Sequence, residues 1–296
     1  MTPMNKIGIH YGFWSHNWDE IEYLPLIRKV ARLGFDLCEV ASAEFGYYSE
    51  AVLRELKACA DDHGVGFTYS IGLEPKYDLA SDDSAVRAAG VAHVTRILKS
   101  MPKVGATILN GVSYAGWQAM PGYGITKDDK RRKEDLAVGS MKELVKVAED
   151  NGVTYCCEVV NRFEQYLLNT AAEGVAFVQR LESPNAKLLL DTFHMNIEED
   201  DMAAAIRMAG PYLGHFHVGE NNRKPPGMGS LPWMELAAAL KEIGYQGAAV
   251  MEPFILMGGT IPYDIKVWRD LSGGADEAAM DAMAANSCRF MKALLQ

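Results

Sequence analysis

No apolar run in the chain approaches the roughly 20 residues needed to cross a bilayer, so no membrane span is expected. Met1 to Lys6 has no apolar segment of the kind a secretory leader carries. Positive charge is scarce: 29 Lys and Arg face 39 Asp and Glu, a formal charge of −10. That balance speaks against nucleic acid and anionic membrane as partners. Cysteine is sparse and odd in number, five residues at 38, 59, 156, 157 and 288, without the paired spacing of a metal finger. A reducing, cytoplasmic setting is expected. Cys156 and Cys157 are strand neighbours pointing to opposite faces, which argues against a bond between them. The first β-branched run, Ile7 to Tyr11, leads into Tyr11-Gly12-Phe13-Trp14 rather than a glycine-rich turn. A nucleotide-binding open sheet would usually carry such a turn there. Neither a linker nor a composition shift divides the 296 residues.

What is present is alternation. With 49% hydrophobic and 23% charged residues the chain can bury a sizeable core. Strand-like runs near 7–11, 37–40, 67–71, 106–109, 153–158, 187–191, 213–217 and 247–252 alternate with helical patterns. Those patterns fall near 17–33, 49–63, 84–100, 132–150, 172–182, 200–209, 232–243 and 276–294. Gly34 and Gly64 are placed as helix stops. Strict alternation implies a parallel sheet covered by helices. Eight units in this length predict one α/β domain over 1–296, a (β/α)₈ TIM barrel with its site at the C-terminal rim. The stretches 111–130, 221–232 and 253–275 read as long rim loops.

Four successive apolar runs end in Glu158, Asp191, His217 and Glu252. As parallel neighbours, these side chains meet at one end of the barrel. Three carboxylates so close repel one another unless a cation sits among them. Oxygen ligands with one imidazole suit Mn²⁺ ahead of Mg²⁺ or Co²⁺, whereas zinc usually takes more His or Cys. His194, three residues beyond Asp191, either binds a substrate oxygen or caps the next helix. Glu164 and Arg223 each lie six residues past the preceding rim residue, in loops. A fixed guanidinium suits oxygen-rich substrates, although a surface position is the commoner one for arginine. Trp18, Trp117 and Phe254 can stack on sugar carbons or simply fill the core. His215 points to the same face as His217, one layer deeper, and reads as a packed core histidine; His16, His63 and His93 read as structural or solvent-facing. The glycine turns at 227–229 and 258–259 lack the lysine and following helix of a phosphate loop.

The chain resembles the D-ketohexose 3-epimerases, the D-tagatose/D-psicose 3-epimerase family of the xylose-isomerase-like barrels. The resemblance rests on Glu158-Val159-Val160-Asn161-Arg162-Phe163-Glu164, on Asp191-Thr192-Phe193-His194-Met195-Asn196, and on Gly214-His215-Phe216-His217 with Asn222-Arg223. Met251-Glu252-Pro253-Phe254, Val267-Trp268-Arg269-Asp270 and Leu33-Gly34-Phe35-Asp36 extend it nearly end to end. It implies metal ligands at Glu158, Asp191, His217 and Glu252, and substrate contacts at Glu164, His194 and Arg223. It also implies a ketose as the small-molecule partner and a homodimer or homotetramer. One departure is His10, where the family carries tyrosine or phenylalanine at the far end of the sugar pocket. A polar ring there leaves the preferred ketohexose open.

The implied reaction inverts C3, whose hydrogen is α to the C2 carbonyl, through a cis-enediolate that the metal stabilises. Glu158 and Glu252, three strands apart, flank the sugar, one removing a proton and the other returning one. An aldose–ketose isomerase on the same barrel is the alternative, but the further ligand cluster of a hydride-shift enzyme is not found. An endonuclease would need more histidine ligands and a basic face. A non-catalytic sugar-binding protein would not need the pair of glutamates.

Overall fold

A computed structural model of the protein describes residues 5–296. Residues 1–4, most of the segment read as lacking a leader, lie outside the described residues. Eight parallel strands close in sequence order: β1 (Ile7–His10), β2 (Leu37–Ala41), β3 (Gly66–Leu73), β4 (Ile108–Gly116), β5 (Thr154–Val159), β6 (Ala186–Asp191), β7 (Leu213–Val218) and β8 (Ala249–Met251). β1 pairs with β8 as well as with β2, so the barrel has no edge. A long helix follows each strand: α1 (Tyr23–Arg32), α2 (Glu50–His63), α3 (Ser84–Val104), α4 (Lys127–Asp150), α5 (Ala171–Gln179), α6 (Met202–Ala209), α7 (Trp233–Glu242) and α8 (Glu277–Leu295). This is the (β/α)₈ barrel expected from the alternation. No helix among the described residues is long and apolar enough to cross a membrane.

The strands are buried on both faces, as a parallel barrel requires. Their outward residues pack against helix stripes such as Tyr23, Leu26, Ile27 and Val30 of α1. α2 begins where Ser49 accepts the Val52 N–H and ends where Gly64 takes φ +69°, a left-handed cap that glycine enters without a Cβ penalty.

Several boundaries move from their expected places. α1 starts at Tyr23 rather than 17, because Ser15 and Asn17 form a local turn and Trp18 donates its indole N–H to Asp264 Oδ2 at 2.8 Å. Trp18 and Ile21 therefore belong to a rim loop. β4 continues to Gly116, so residues 111–116 are strand and the loop begins at Trp117; a register shift lets Leu73 pair with Gly116. α4 begins at Lys127, five residues before the expected start, because Thr126 and Asp129 form a reciprocal capping box.

Candidate active site

The parallel register brings the four strand-end residues together at the C-terminal rim. Asp191 closes β6 directly opposite His217 on β7; Glu158 precedes the last residue of β5, and Glu252 follows β8 by one residue. One ligand atom from each lies within 4.8 Å of the other three, and all four residues are buried. His217 Nδ1 lies 3.5 Å from Glu252 Oε1, 3.9 Å from Glu158 Oε1 and 3.9 Å from Asp191 Oδ2. Neither ring nitrogen of His217 has an aligned hydrogen-bond partner. A buried lone-pair nitrogen facing three carboxylates at ion-bridging distances fits a divalent cation with mostly oxygen ligands.

Electrostatics sets the two glutamates apart. Burial, followed by the charge of Glu252, pushes the Glu158 carboxyl well above the usual carboxylate range. Burial also opposes ionisation of Glu252, but His217 and Arg223 outweigh it and hold that carboxyl well below the usual range. Burial disfavours the His217 imidazolium, yet Glu39 and Glu252 overcome it and raise its pKa. A proton and a cation would thus compete for one seat, since either relieves the crowding of negative charge.

Arg223 is buried, not at the surface. Its backbone takes φ +66°, strained for a residue with a side chain. Its Nη1 lies 3.3 Å from both Asp191 Oδ2 and Glu252 Oε2, and its guanidinium packs 4.2 Å from the Phe193 ring and 5.1 Å from Phe254. The fully buried Glu220 holds this loop by accepting from Gly227 N–H at 2.7 Å, Leu231 N–H at 3.2 Å and Trp233 Nε1 at 2.7 Å.

His194 lies in the short helix Thr192–Glu198, whose N-terminus is capped by Asp191. It faces the site, with Nε2 at 3.6 Å from Glu158 Oε1. Asn161 Nδ2 lies 2.7 Å from His194 Nδ1 and 3.2 Å from Glu164 Oε1, and Trp117 Nε1 donates to Glu164 Oε2 at 3.3 Å. Because an amide N–H can only donate, His194 Nδ1 accepts and the ring proton sits on Nε2. Burial lowers the His194 pKa to about 4, and burial raises that of Glu164.

Above the cluster opens a cavity of about 630 Å³, lined by His10, Trp18, Trp117, Phe254, Glu164, His194 and Arg223 among others. Every residue expected at the site thus lines this cavity or the cluster at its floor. His10 stands 5.5 Å from Phe254 and 6.3 Å from Trp18, ring to ring. Its Nδ1 accepts the Gly12 N–H at 3.2 Å, which leaves Nε2–H toward the cavity, 4.0 Å from Glu252 Oε1.

Sequence reasoning missed two residues. Asn161 was visible only as part of a motif. Glu39, fully buried on β2, accepts on Oε2 from Thr68 Oγ1 at 2.9 Å, Asn110 Nδ2 at 2.6 Å and His215 Nε2 at 3.0 Å. A lone carboxylate within Leu37-Cys38-Glu39-Val40 was the available signal. His215 is buried as expected, yet it serves this polar network rather than filling apolar core.

Residues 27–271 match the family model of the xylose isomerase-like TIM barrel. The D-psicose 3-epimerase of Ruminiclostridium cellulolyticum is 46% identical over 292 residues, covering 98% of each chain. That of Agrobacterium fabrum is 47% identical over 290 residues, covering 98% of this chain and 99% of the relative. A crystal structure of D-psicose 3-epimerase with D-tagatose from Clostridium cellulolyticum, 46% identical, superposes with a TM-score of 0.94 over 98% of this chain and 99% of the other. The chain belongs to the D-psicose 3-epimerase family of xylose isomerase-like TIM barrels.

Proposed function

We propose that this protein is a metal-dependent isomerase that inverts C3 of free ketohexoses, interconverting D-psicose with D-fructose and D-tagatose with D-sorbose. The observation that carries the reading is the pair Glu158 and Glu252. They come from strands three apart, stand on either side of His217, and have proton affinities driven in opposite directions. An acid and a base facing one another across a bound sugar are what inversion at a carbon α to a carbonyl needs.

Glu158, Asp191, His217 and Glu252 would hold one divalent ion, Mn²⁺ ahead of Co²⁺ or Mg²⁺, whose charge would polarise the sugar carbonyl and offset the negative charge that develops when the C3 proton leaves. Arg223 and His194 Nε2–H present donors to the same sugar oxygens, and Glu164 accepts from a hydroxyl. One glutamate takes the C3 proton while the other returns a proton to the opposite face, and the roles exchange for the other epimer. Trp18, Trp117 and Phe254 cover the apolar sugar face and exclude water. His10 Nε2–H meets the distal hydroxyls.

The five cysteines are free and buried, which suits a reducing cytoplasm. Exposed Met120, Tyr123, Ile125 and Phe163 favour a homo-oligomer, dimer or tetramer.

The test is a panel of D-psicose, D-tagatose, D-fructose and D-sorbose given to chelator-stripped protein reconstituted with Mn²⁺, Co²⁺, Mg²⁺ or Ca²⁺. C3 epimers should appear with Mn²⁺ or Co²⁺ and scarcely with Ca²⁺. Aldose products, or full turnover in demonstrably metal-free protein, would overturn the reading.

A further inference from the structure

The acid–base pair leaves one fully buried carboxylate without a part. Glu39 Oε2 gathers three donors, from Thr68, Asn110 and His215, while Oε1 lies 2.7 Å from His217 Nε2. We infer that Glu39 is a positioning residue that dictates which nitrogen of His217 is offered to the metal ion. The inference rests on the reading of His217 as a metal ligand.

A carboxylate only accepts, so each imidazole nitrogen that meets it carries the hydrogen. His217 Nε2 lies 2.7 Å from a Glu39 oxygen that can only accept, so although the contact is not aligned as a hydrogen bond, the ring proton belongs on Nε2 and the bare lone pair on Nδ1. That is the nitrogen facing Glu158, Asp191 and Glu252, and it has no protein donor. The opposite tautomer would place a lone pair against a buried carboxylate at 2.7 Å and close the metal-facing nitrogen with a proton. Histidine ligands commonly donate their second N–H to a carboxylate, which fixes ring orientation and raises ligand basicity. Here the supporting carboxylate is itself held from below. His215 meets the same Glu39 oxygen as Thr68 and Asn110, so Oε2 cannot turn toward His217 without abandoning three donors. The arrangement spans β2, β3, β4 and β7, and ties the rim to the barrel interior.

Glutamine at 39 has nearly the same shape but cannot satisfy both sides. If its oxygen faces His217, its NH₂ meets the three donors; if it turns over, the NH₂ meets His217 Nε2 and favours the wrong tautomer. Glu39→Gln is therefore compared with the full-length wild-type protein by titration with Co²⁺. Visible absorption reports the ligand field, and chelator competition gives Kd. The expected result is Co²⁺ affinity about 10- to 100-fold weaker in the variant, with an altered spectrum. His217→Ala identifies the histidine contribution to that spectrum.

The Co²⁺-loaded wild-type protein gives a measurement that needs no variant. Coordination through Nδ1 leaves one ring C–H beside the metal-bound nitrogen, hence one very broad shifted C–H signal and a solvent-exchangeable Nε2–H signal. Coordination through Nε2 would give two such broad C–H signals and overturn the inference even if Glu39→Gln failed to fold. An unchanged Kd and spectrum in Glu39→Gln would overturn the role of Glu39 alone. A wild-type protein that binds no Co²⁺, or a His217→Ala spectrum identical to wild type, would overturn the ligand reading and the inference with it.

Discussion

Replacing Asn161 with leucine removes the one donor that decides how the His194 ring is protonated, while keeping the same number of side-chain heavy atoms. In the native protein Asn161 Nδ2 lies 2.7 Å from His194 Nδ1, so the ring proton is on Nε2, toward Glu158 and the cavity. With the amide gone, the carboxyl oxygen Glu164 Oε1 lies 3.9 Å from Nδ1. That carboxyl then competes for the ring proton with Glu158 Oε1, 3.6 Å from Nε2, and in the fraction with the proton on Nδ1 the ring turns from donor to acceptor at the face that meets the sugar. Leaving a buried polar partner unmatched costs about 1 to 3 kcal/mol. At about 1.4 kcal/mol per factor of ten, kcat/KM should fall roughly 5- to 150-fold. The Phe163 N–H also loses its Asn161 acceptor and Glu164 Oε1 loses the Asn161 amide at 3.2 Å, so urea unfolding measured alongside separates lost stability from the change at the ring. Steady-state kinetics on D-psicose measures the loss, and ¹⁵N-histidine spectra report the tautomer. A variant that keeps the Nε2–H form and stays within twofold of wild-type kcat/KM would refute the reasoning.

Two further outcomes follow from the site. His10→Phe and His10→Tyr should reorder the ranking among D-tagatose, D-psicose, D-fructose and D-sorbose through modest changes in KM or kcat, with metal content unchanged; identical kinetic constants for all four would mean that His10 does not touch the sugar. The folded-state pKa of His194, about 4, lies below its ordinary value of 6.5, so the neutral ring contributes stability above pH 6.5 that is lost as pH falls toward 4. Between pH 7 and 4.5 wild type should lose roughly 2 to 3 kcal/mol more than His194→Gln in urea unfolding, and equal losses would count against a neutral, buried His194.

The barrel and its metal-fitting cluster were legible because both are written in period. Apolar runs ending in Glu158, Asp191, His217 and Glu252 repeat at strand spacing, and parallel pairing in sequence order carries strand ends to one rim. Helix starts were less legible where the cap decides rather than the apolar stripe. The Thr126–Asp129 box moved α4 forward, and the turn at Ser15 and Asn17 delayed α1. The burial of Arg223 depends on a left-handed backbone and on Glu220, neither of which leaves a periodic mark. Glu39 and Asn161 act through partners far away in sequence, at separations of 176 and 33 residues to His215 and His194. Such pairings exist only once the barrel has closed.

Turnover of D-psicose in D₂O tests the two-glutamate reaction most directly. A carboxylate that removes the C3 proton can exchange it with solvent while the opposite carboxylate delivers another, so deuterium should appear at C3 of the D-fructose formed. Glu158→Gln and Glu252→Gln should each lower kcat by about two or more orders of magnitude, with metal content measured alongside, since either change also removes a ligand. Product that retains its original C3 hydrogen, under conditions where bound intermediate can exchange, would contradict the account, as would a Glu252→Gln protein that keeps its metal and epimerises at the wild-type rate.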